Sequence, residues 1–321
     1  MTMQSEELRP EEFGQAAQAV IEAVQGQSGK DAALAMAEAG LFGVCASEDA
    51  GGLGLPLEFA MPVVRAAGEL QLQFPLPEQI AAAKALQNTE PGQQLLAGEK
   101  SVCVVLRGSD ELWSGVARNG VQADYVLAQT ATGVALFDAA DVEKKVAPAL
   151  DPDVPQLWVK VGAATPLVTL SESDSAVFLN DMRLLWAEYL NGLSAGALER
   201  SATYLQARVQ FGRPLSAKQA VRHHLARMRL LVEASSAEVW RALRVDELGQ
   251  TRTSDSALAA ALSNASFVLE KATHLHGGMG FTWELDLHRS LREVKKLDAT
   301  NGAGALMRDV GQRFVESCEV A

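Results

Sequence analysis

At 321 residues the chain exceeds the size of a common single core, so two or three packed regions are expected. Its 48% hydrophobic and 21% charged residues, with no low-complexity tract, describe an ordinary globular protein rather than a disordered one. A net charge of −12 argues against nucleic acid as a partner, because a phosphate-backbone binder needs a basic face to displace counterions. The start, MTMQSEELRPEEFGQ, is acidic and polar, unlike a signal peptide, and no run reaches membrane-spanning length. A cytoplasmic protein with no membrane partner is therefore expected.

From about residue 5 to 95, apolar positions recur at helical spacing in EEFGQAAQAVIEAV, DAALAMAEAGLF and FAMPVVRAAGEL. This predicts a helical domain, interrupted by the glycine-rich loop SEDAGGLGLP from Ser47 to Pro56. From Lys100 the texture changes to short β-prone runs, SVCVVL, ADYVLAQT, GVALFDA, QLWVKV and PLVTL, broken by Gly, Asn, Asp and Pro. They predict a small β domain ending near Ser171. From about Asp181 helical periodicity returns in LLWAEYLNGLSAGALERSATYLQARVQF, AVRHHLARMRLLVEASSAEVWRALRVDEL and DSALAAALSNASFVLEKATHLH, stretches long enough for an antiparallel bundle. The expected architecture is mainly α with a small β domain, divided at 1–98, 99–172 and 173–321.

Cys45, Cys103 and Cys318 are widely spaced and match no ligand pattern, so they are read as inert thiols without a disulfide or zinc site. His223, His224 and the His274/His276 pair lack companions at ligand spacing, and no metal is expected. Ser47, Ser194 and Ser216 sit in no nucleophile-elbow pattern.

Two stretches carry chemistry. In YLQARVQFGRPLSAKQ, from Tyr204 to Gln219, a helix runs into a Gly/Pro break and restarts, placing Arg208 and Gln210 beside the ring of Phe211. Such a set can pair with phosphate and lie against a flat heterocycle. In HLHGGMGFTWELD, from His274 to Asp286, a glycine turn separates two helices. Its backbone N–H groups, at the start of a helix expected near Thr282, suit an anion. GGMG follows no strand, so it is not a dinucleotide-fold fingerprint. Glu284 and Asp286 read as carboxylates stabilising that helix start. Together the two stretches point to a nucleotide cofactor.

The combination YxxxRxQFGRPxxxxQ and HGGMGFTWExD, after a helical and a β region, resembles the acyl-CoA dehydrogenase family over nearly the whole chain, including LFGVCASEDAGGLG near the N-terminus. The resemblance implies that family's fold: an N-terminal helical domain, a middle β domain, here reduced and barrel-like, and a C-terminal helical bundle. It implies FAD as cofactor. Arg208, Gln210, Phe211, Leu215 and Gln219 match positions that bind the FAD of a neighbouring subunit. Gly277 and Gly278 match the turn against the ADP portion, with His274 where the family usually has glutamine. Arg183 matches an arginine near the acyl-CoA site, its alternative being a helix-surface charge.

The departures are as informative. The family removes the substrate's α-proton with a glutamate, but the two positions where relatives carry it hold Asn301 and Met182. Ala303 and Ala305 stand where relatives hold their own flavin with Thr and Gln, and the β region lacks the loop and hairpin, with Thr/Ser and Trp, that cover the isoalloxazine ring. No catalytic residue is therefore assigned; Glu188 and Glu199, the conceivable substitutes, are expected to be packed or solvated. The expectation is a heteromer of α2β2 type: a second acyl-CoA dehydrogenase subunit supplies the glutamate, an electron-transfer flavoprotein accepts the electrons, and the acyl-CoA is of the steroid side-chain kind. A homo-oligomer with an unconventional base and a non-catalytic scaffold remain as alternatives.

Overall fold

In a computed structural model of the chain, residues 9–27, 29–106, 115–148, 150–244 and 252–319 are described. Five helices come first: α1 (Pro10–Val24), α2 (Gly29–Glu38), α3 (Ala60–Glu69), α4 (Leu76–Leu86) and α5 (Glu90–Leu96). Alpha1 buries Ala17, Ile21 and Val24, one stripe at helical spacing, and prolines in the first turns of α1, α4 and α5 fit where a backbone N–H has no intrahelical partner.

Seven strands follow: β1 (Val102–Val105), β2 (Gly115–Ala117), β3 (Tyr125–Thr130), β4 (Gly133–Asp138), β5 (Glu143–Ala147), β6 (Gln156–Lys160) and β7 (Val168–Thr169). They form two facing sheets rather than a barrel, ordered β1-β3-β4-β7 and β2-β6-β5, with β1 parallel to β3 and the other pairs antiparallel. Cys103, Val105, Val126 and Ala128 meet Ala117, Leu157 and Val159 between the sheets, while Val102, Val104, Leu127 and Leu136 on the opposite face join the helical core. Burial on both faces explains why β1 and β3 read as continuous apolar runs rather than alternating ones.

The C-terminal part contains α6 (Glu172–Ala207), a hairpin of β8 (Val209–Gln210) and β9 (Arg213–Pro214), α7 (Gln219–Leu243), α8 (Ser254–Leu275), α9 (Leu287–Asn301) and α10 (Ala303–Glu319). Alpha6 starts earlier than the apolar run near Asp181: the Ser171 hydroxyl accepts the Asp174 N–H at 3.1 Å and caps it. It is the central helix, buried on nearly every side from Asp181 to Ser194. Alpha3 crosses it at backbone contact. A Cβ on Gly192 would stand 2.1 Å from the Arg65 carbonyl oxygen, and one on Gly68 2.3 Å from that of Tyr189. Among the described residues no helix is long and apolar enough to cross a membrane.

Candidate functional site

The end of α6 turns directly into the first motif. Arg208 closes the helix, its N–H donating to Tyr204 O at 2.8 Å, and the chain then makes a hairpin pairing Val209 with Pro214 and Gln210 with Arg213. Its two loop residues, Phe211 and Gly212, both have positive φ, 54° and 73°. That is the primed turn that matches the twist of two strands. Glycine takes it freely, whereas a bulky aromatic residue there is strained. Leu215 N–H donating to Arg208 O at 2.8 Å locks the hairpin's base. The Phe211 ring is 89% exposed, with the Lys218 ammonium 5.0 Å from its centroid. Arg208, Gln210 and Gln219 are also exposed, Gln219 at the first position of α7, and Leu215 is half-buried.

The second motif lies at the end of α8. His274 is exposed on the last turn, and a short turn from Gly277 to Phe281 follows. Gly277, at φ 61°, and Gly278 are exposed with open space where a side chain would be. The helix expected near Thr282 does not start there. Thr282 is extended and α9 begins at Leu287, so the glycine turn caps the end of α8 rather than the start of a helix. An anion held here relies on turn amides and nearby cations, not on a helix dipole. Asp286 does precede α9, but its carboxylate caps no N–H and stands 3.6 Å from Arg289; Glu284 is exposed.

Stacking of Tyr204 on His276, with centroids 4.5 Å apart, brings the two motifs to one end of the bundle. The first turns of α7 join them: burial, then Lys271 and His274, push the pKa of His224 down. Sequence reasoning missed how basic this end is. From residue 200 to 232 the chain has seven Lys and Arg and no carboxylate, although it carries 40 Asp and Glu in all; that gap is the signal that would have found it. The exposed Phe211 ring, the open glycine backbone and the exposed Arg208 are groups able to lie against a flat ring and to pair with phosphate.

Arg183 lies elsewhere. About 30 Å of helix axis separates it from Tyr204. It stands 3.2 Å from Asp255, which also pairs with Arg313 at 2.8 Å, tying α6 to α8 and α10. No carboxylate stands at the positions considered for a base. Met182 is fully buried, and the Asn301 amide donates to Leu297 O at 2.9 Å near the end of α9; Ala303 is buried and Ala305 exposed. Glu188 is buried between Arg65 and Asn191, each bond 2.8 Å, and burial raises its pKa more than Arg65 lowers it. Glu199 is exposed. The stretch expected to lack the flavin-covering loop falls largely on residues 107–114, outside the described residues. A cavity of about 470 Å³, lined by residues including Lys30, Phe74, Lys100, Asn119, Asp124 and Asp153, contains none of the motif residues.

Helices, two facing sheets and a C-terminal helical bundle define the class: an acyl-CoA dehydrogenase fold. It is shared, at TM-scores of 0.80 and 0.79, with the "Tcur3481-Tcur3483 steroid ACAD G363A variant" (24% identity, 97% of this chain and 98% of that one) and with the ChsE4-ChsE5 complex of Mycobacterium tuberculosis (22%, 98% and 99%). A glutaryl-CoA dehydrogenase of Mycobacterium smegmatis in complex with FADH2 is also similar, at TM-score 0.75 (16%, 95% and 94%). Residues 175–315 match the model of the acyl-CoA dehydrogenase C-terminal domain. Acyl-CoA dehydrogenase IpdE2 of Mycolicibacterium smegmatis is 29% identical over 245 residues, 75% of this chain and 73% of the relative. The C-terminal part of the chain thus matches the acyl-CoA dehydrogenase family, and the chain as a whole has that family's fold.

Proposed function

We propose that the chain is one subunit of an FAD-dependent acyl-CoA dehydrogenase heteromer, which donates its basic end to FAD seated mainly in a partner subunit of the same family. The observation that carries this reading is Phe211, strained at positive φ and 89% exposed, beside Arg208, Gln210 and the open Gly277 and Gly278. A ring held out from its own chain at a conformational cost has its use on another surface. Leu215 and Gln219 shape the same face at the start of α7, and His274 borders the turn.

In this reading Arg208 neutralises phosphate charge, Phe211 covers a flat face of the dinucleotide and the turn lets backbone approach it closely. FAD held there would supply the hydride acceptor for the substrate's β-carbon. Asn301 and Met182 cannot take the α-proton, so a glutamate of the partner would, and an electron-transfer flavoprotein would be the electron acceptor. Arg183 serves the acyl-CoA side of the assembly through its place on α6. Similarity to the Tcur3481-Tcur3483 steroid ACAD and to the ChsE4-ChsE5 complex favours an α2β2 complex acting on a steroid side-chain CoA thioester. The division at 1–98, 99–172 and 173–321 and a cytoplasmic location complete the proposal.

The test is co-expression with the other acyl-CoA dehydrogenase subunits of the same organism, each in turn. The expected result is a yellow, active heteromer that loses its flavin when Arg208 and Phe211 are both changed to alanine. Full flavin and activity in that double variant would leave the chain a scaffold only.

A further inference from the structure

The two motifs belong to two firmly built pieces. On α6, the Arg208 N–H donates to the Tyr204 carbonyl at 2.8 Å, so the hairpin that carries Phe211 starts one helical turn beyond the Tyr204 ring. On α8, the glycine turn is folded tightly back onto the helix end. A Cβ on Gly280 would stand 2.0 Å from the Thr273 carbonyl oxygen, so that position admits only glycine. His276, the residue before Gly277, is 3% exposed and tied twice to one acceptor. Its backbone N–H and its ring both reach the Ala272 carbonyl oxygen, at 3.3 and 2.8 Å. A carbonyl oxygen only accepts, so Nδ1 carries the hydrogen and donates it, which fixes the imidazole in one orientation. The Tyr204 ring lies over this fixed imidazole, with 4.5 Å between centroids and 24° between planes.

We propose that Tyr204 and His276 are positioning residues for the cofactor: their stack sets the separation between the Arg208–Phe211 hairpin and the Gly277–Gly278 turn, so that both meet one dinucleotide together. The inference rests on the reading of this end as an FAD grip and adds to it two residues that act through Arg208 and the glycine backbone. A guanidinium on one helix end and backbone amides on another share an anion only at the right distance from each other, and groups placed in this way depend on the packing that locks their supports. Tyr204 is one turn from Arg208 and His276 is next to Gly277, so a slide or roll of one helix end against the other disturbs this stack together with the motifs.

The experiment uses the purified heteromer. Each variant is equilibrated with a series of FAD concentrations, bound and free flavin are separated by ultrafiltration, and the melting temperature is recorded alongside. Tyr204→Leu and His276→Leu, which keep apolar bulk but lose a ring, are each expected to weaken FAD binding about tenfold. Tyr204→Phe, which keeps the ring, restores tight binding. In an Arg208→Ala background, Tyr204→Leu is expected to cost less than about twofold more, because the group it positions is gone. A merely structural role would weaken binding equally in both backgrounds, and that result overturns the proposal, as does wild-type affinity in Tyr204→Leu or an equal loss in Tyr204→Phe. Should Tyr204→Leu yield no folded heteromer, His276→Leu decides by the same comparison from the α8 side. Failure of the FAD reading itself looks different: Arg208→Ala alone then binds FAD as tightly as wild type.

Discussion

Phe211 combines a positive φ with an almost bare ring, two properties that stability of the isolated chain does not favour. Phe211→Asn places in the turn a residue that accepts this conformation. The melting temperature of the free chain is expected to stay level or rise by a few degrees, whereas flavin retention in the heteromer falls at least tenfold. A scanning calorimetry trace and a flavin titration on the same preparation separate the two effects. The thiols give a second test. Burial pushes Cys45 and Cys103 up to about 12, so at pH 8 they are neither accessible nor ionised, while Cys318 is exposed. Mass spectrometry after brief iodoacetamide treatment should find one modified cysteine in the native chain and three in denaturant. At this scale the sequence was readable where residue type and conformation agree. The Tyr204–His276 stack puts the two motifs at one end of the bundle, but Phe-Gly is not a usual hairpin turn, and a hairpin there was not foreseen.

Between elements, the tightest constraint is the crossing of α3 over α6, where Gly68 and Gly192 let two helix backbones touch. Gly192→Val is expected to destabilise the chain by about 1–3 kcal/mol, because neither backbone can move aside without disturbing a packed core. Urea unfolding measures this directly; an unchanged midpoint would mean that the helices are not in backbone contact. The same crossing keeps Arg65 within 2.8 Å of Glu188, so loss of that ion pair should accompany the shift. Most elements were legible from periodicity and apolar runs. Beta5 was not, because EKKVA is an exposed edge strand with no apolar pattern to read. The start of α6 was not legible in the apolar periodicity although Ser171 and Asp174 spell a cap, because the first turn of that helix faces solvent. The helix expected at Thr282 begins later because the Thr282 N–H folds back onto Met279 O at 3.1 Å and its backbone is extended, so the chain turns there before α9 starts at Leu287.

Across the whole molecule, a buried ion line of Glu78, Arg118, Glu293, Lys296 and Asp151 joins segments from positions 78 to 296, and no local pattern could have announced it. Breaking it one-sidedly is costly: Arg118→Met leaves Glu78 and Glu293 without their shared cation, and about 3–5 kcal/mol of stability should be lost in denaturant unfolding. Acid probes the other end. Burial works against the Asp151 carboxylate, but its bonds to Lys296 and the Val154 N–H and the charge of Arg292 outweigh it and hold the group below its ordinary pKa. A carboxylate held down in this way stabilises the fold above its unfolded pKa and loses that contribution as pH falls through the folded one. Asp151→Asn should therefore flatten the drop in melting temperature seen below about pH 4 and leave the behaviour between pH 5 and 7 unchanged in slope. The carboxylate-free stretch has a consequence at this scale too. In a protein of net charge −12, residues 200–232 carry no carboxylate and expose Arg208 and Arg213, a local patch of positive charge on an anion. At neutral pH and low salt it should adhere to a cation exchanger by one end as well as to an anion exchanger by the rest, and it should meet an acidic partner face already turned the right way.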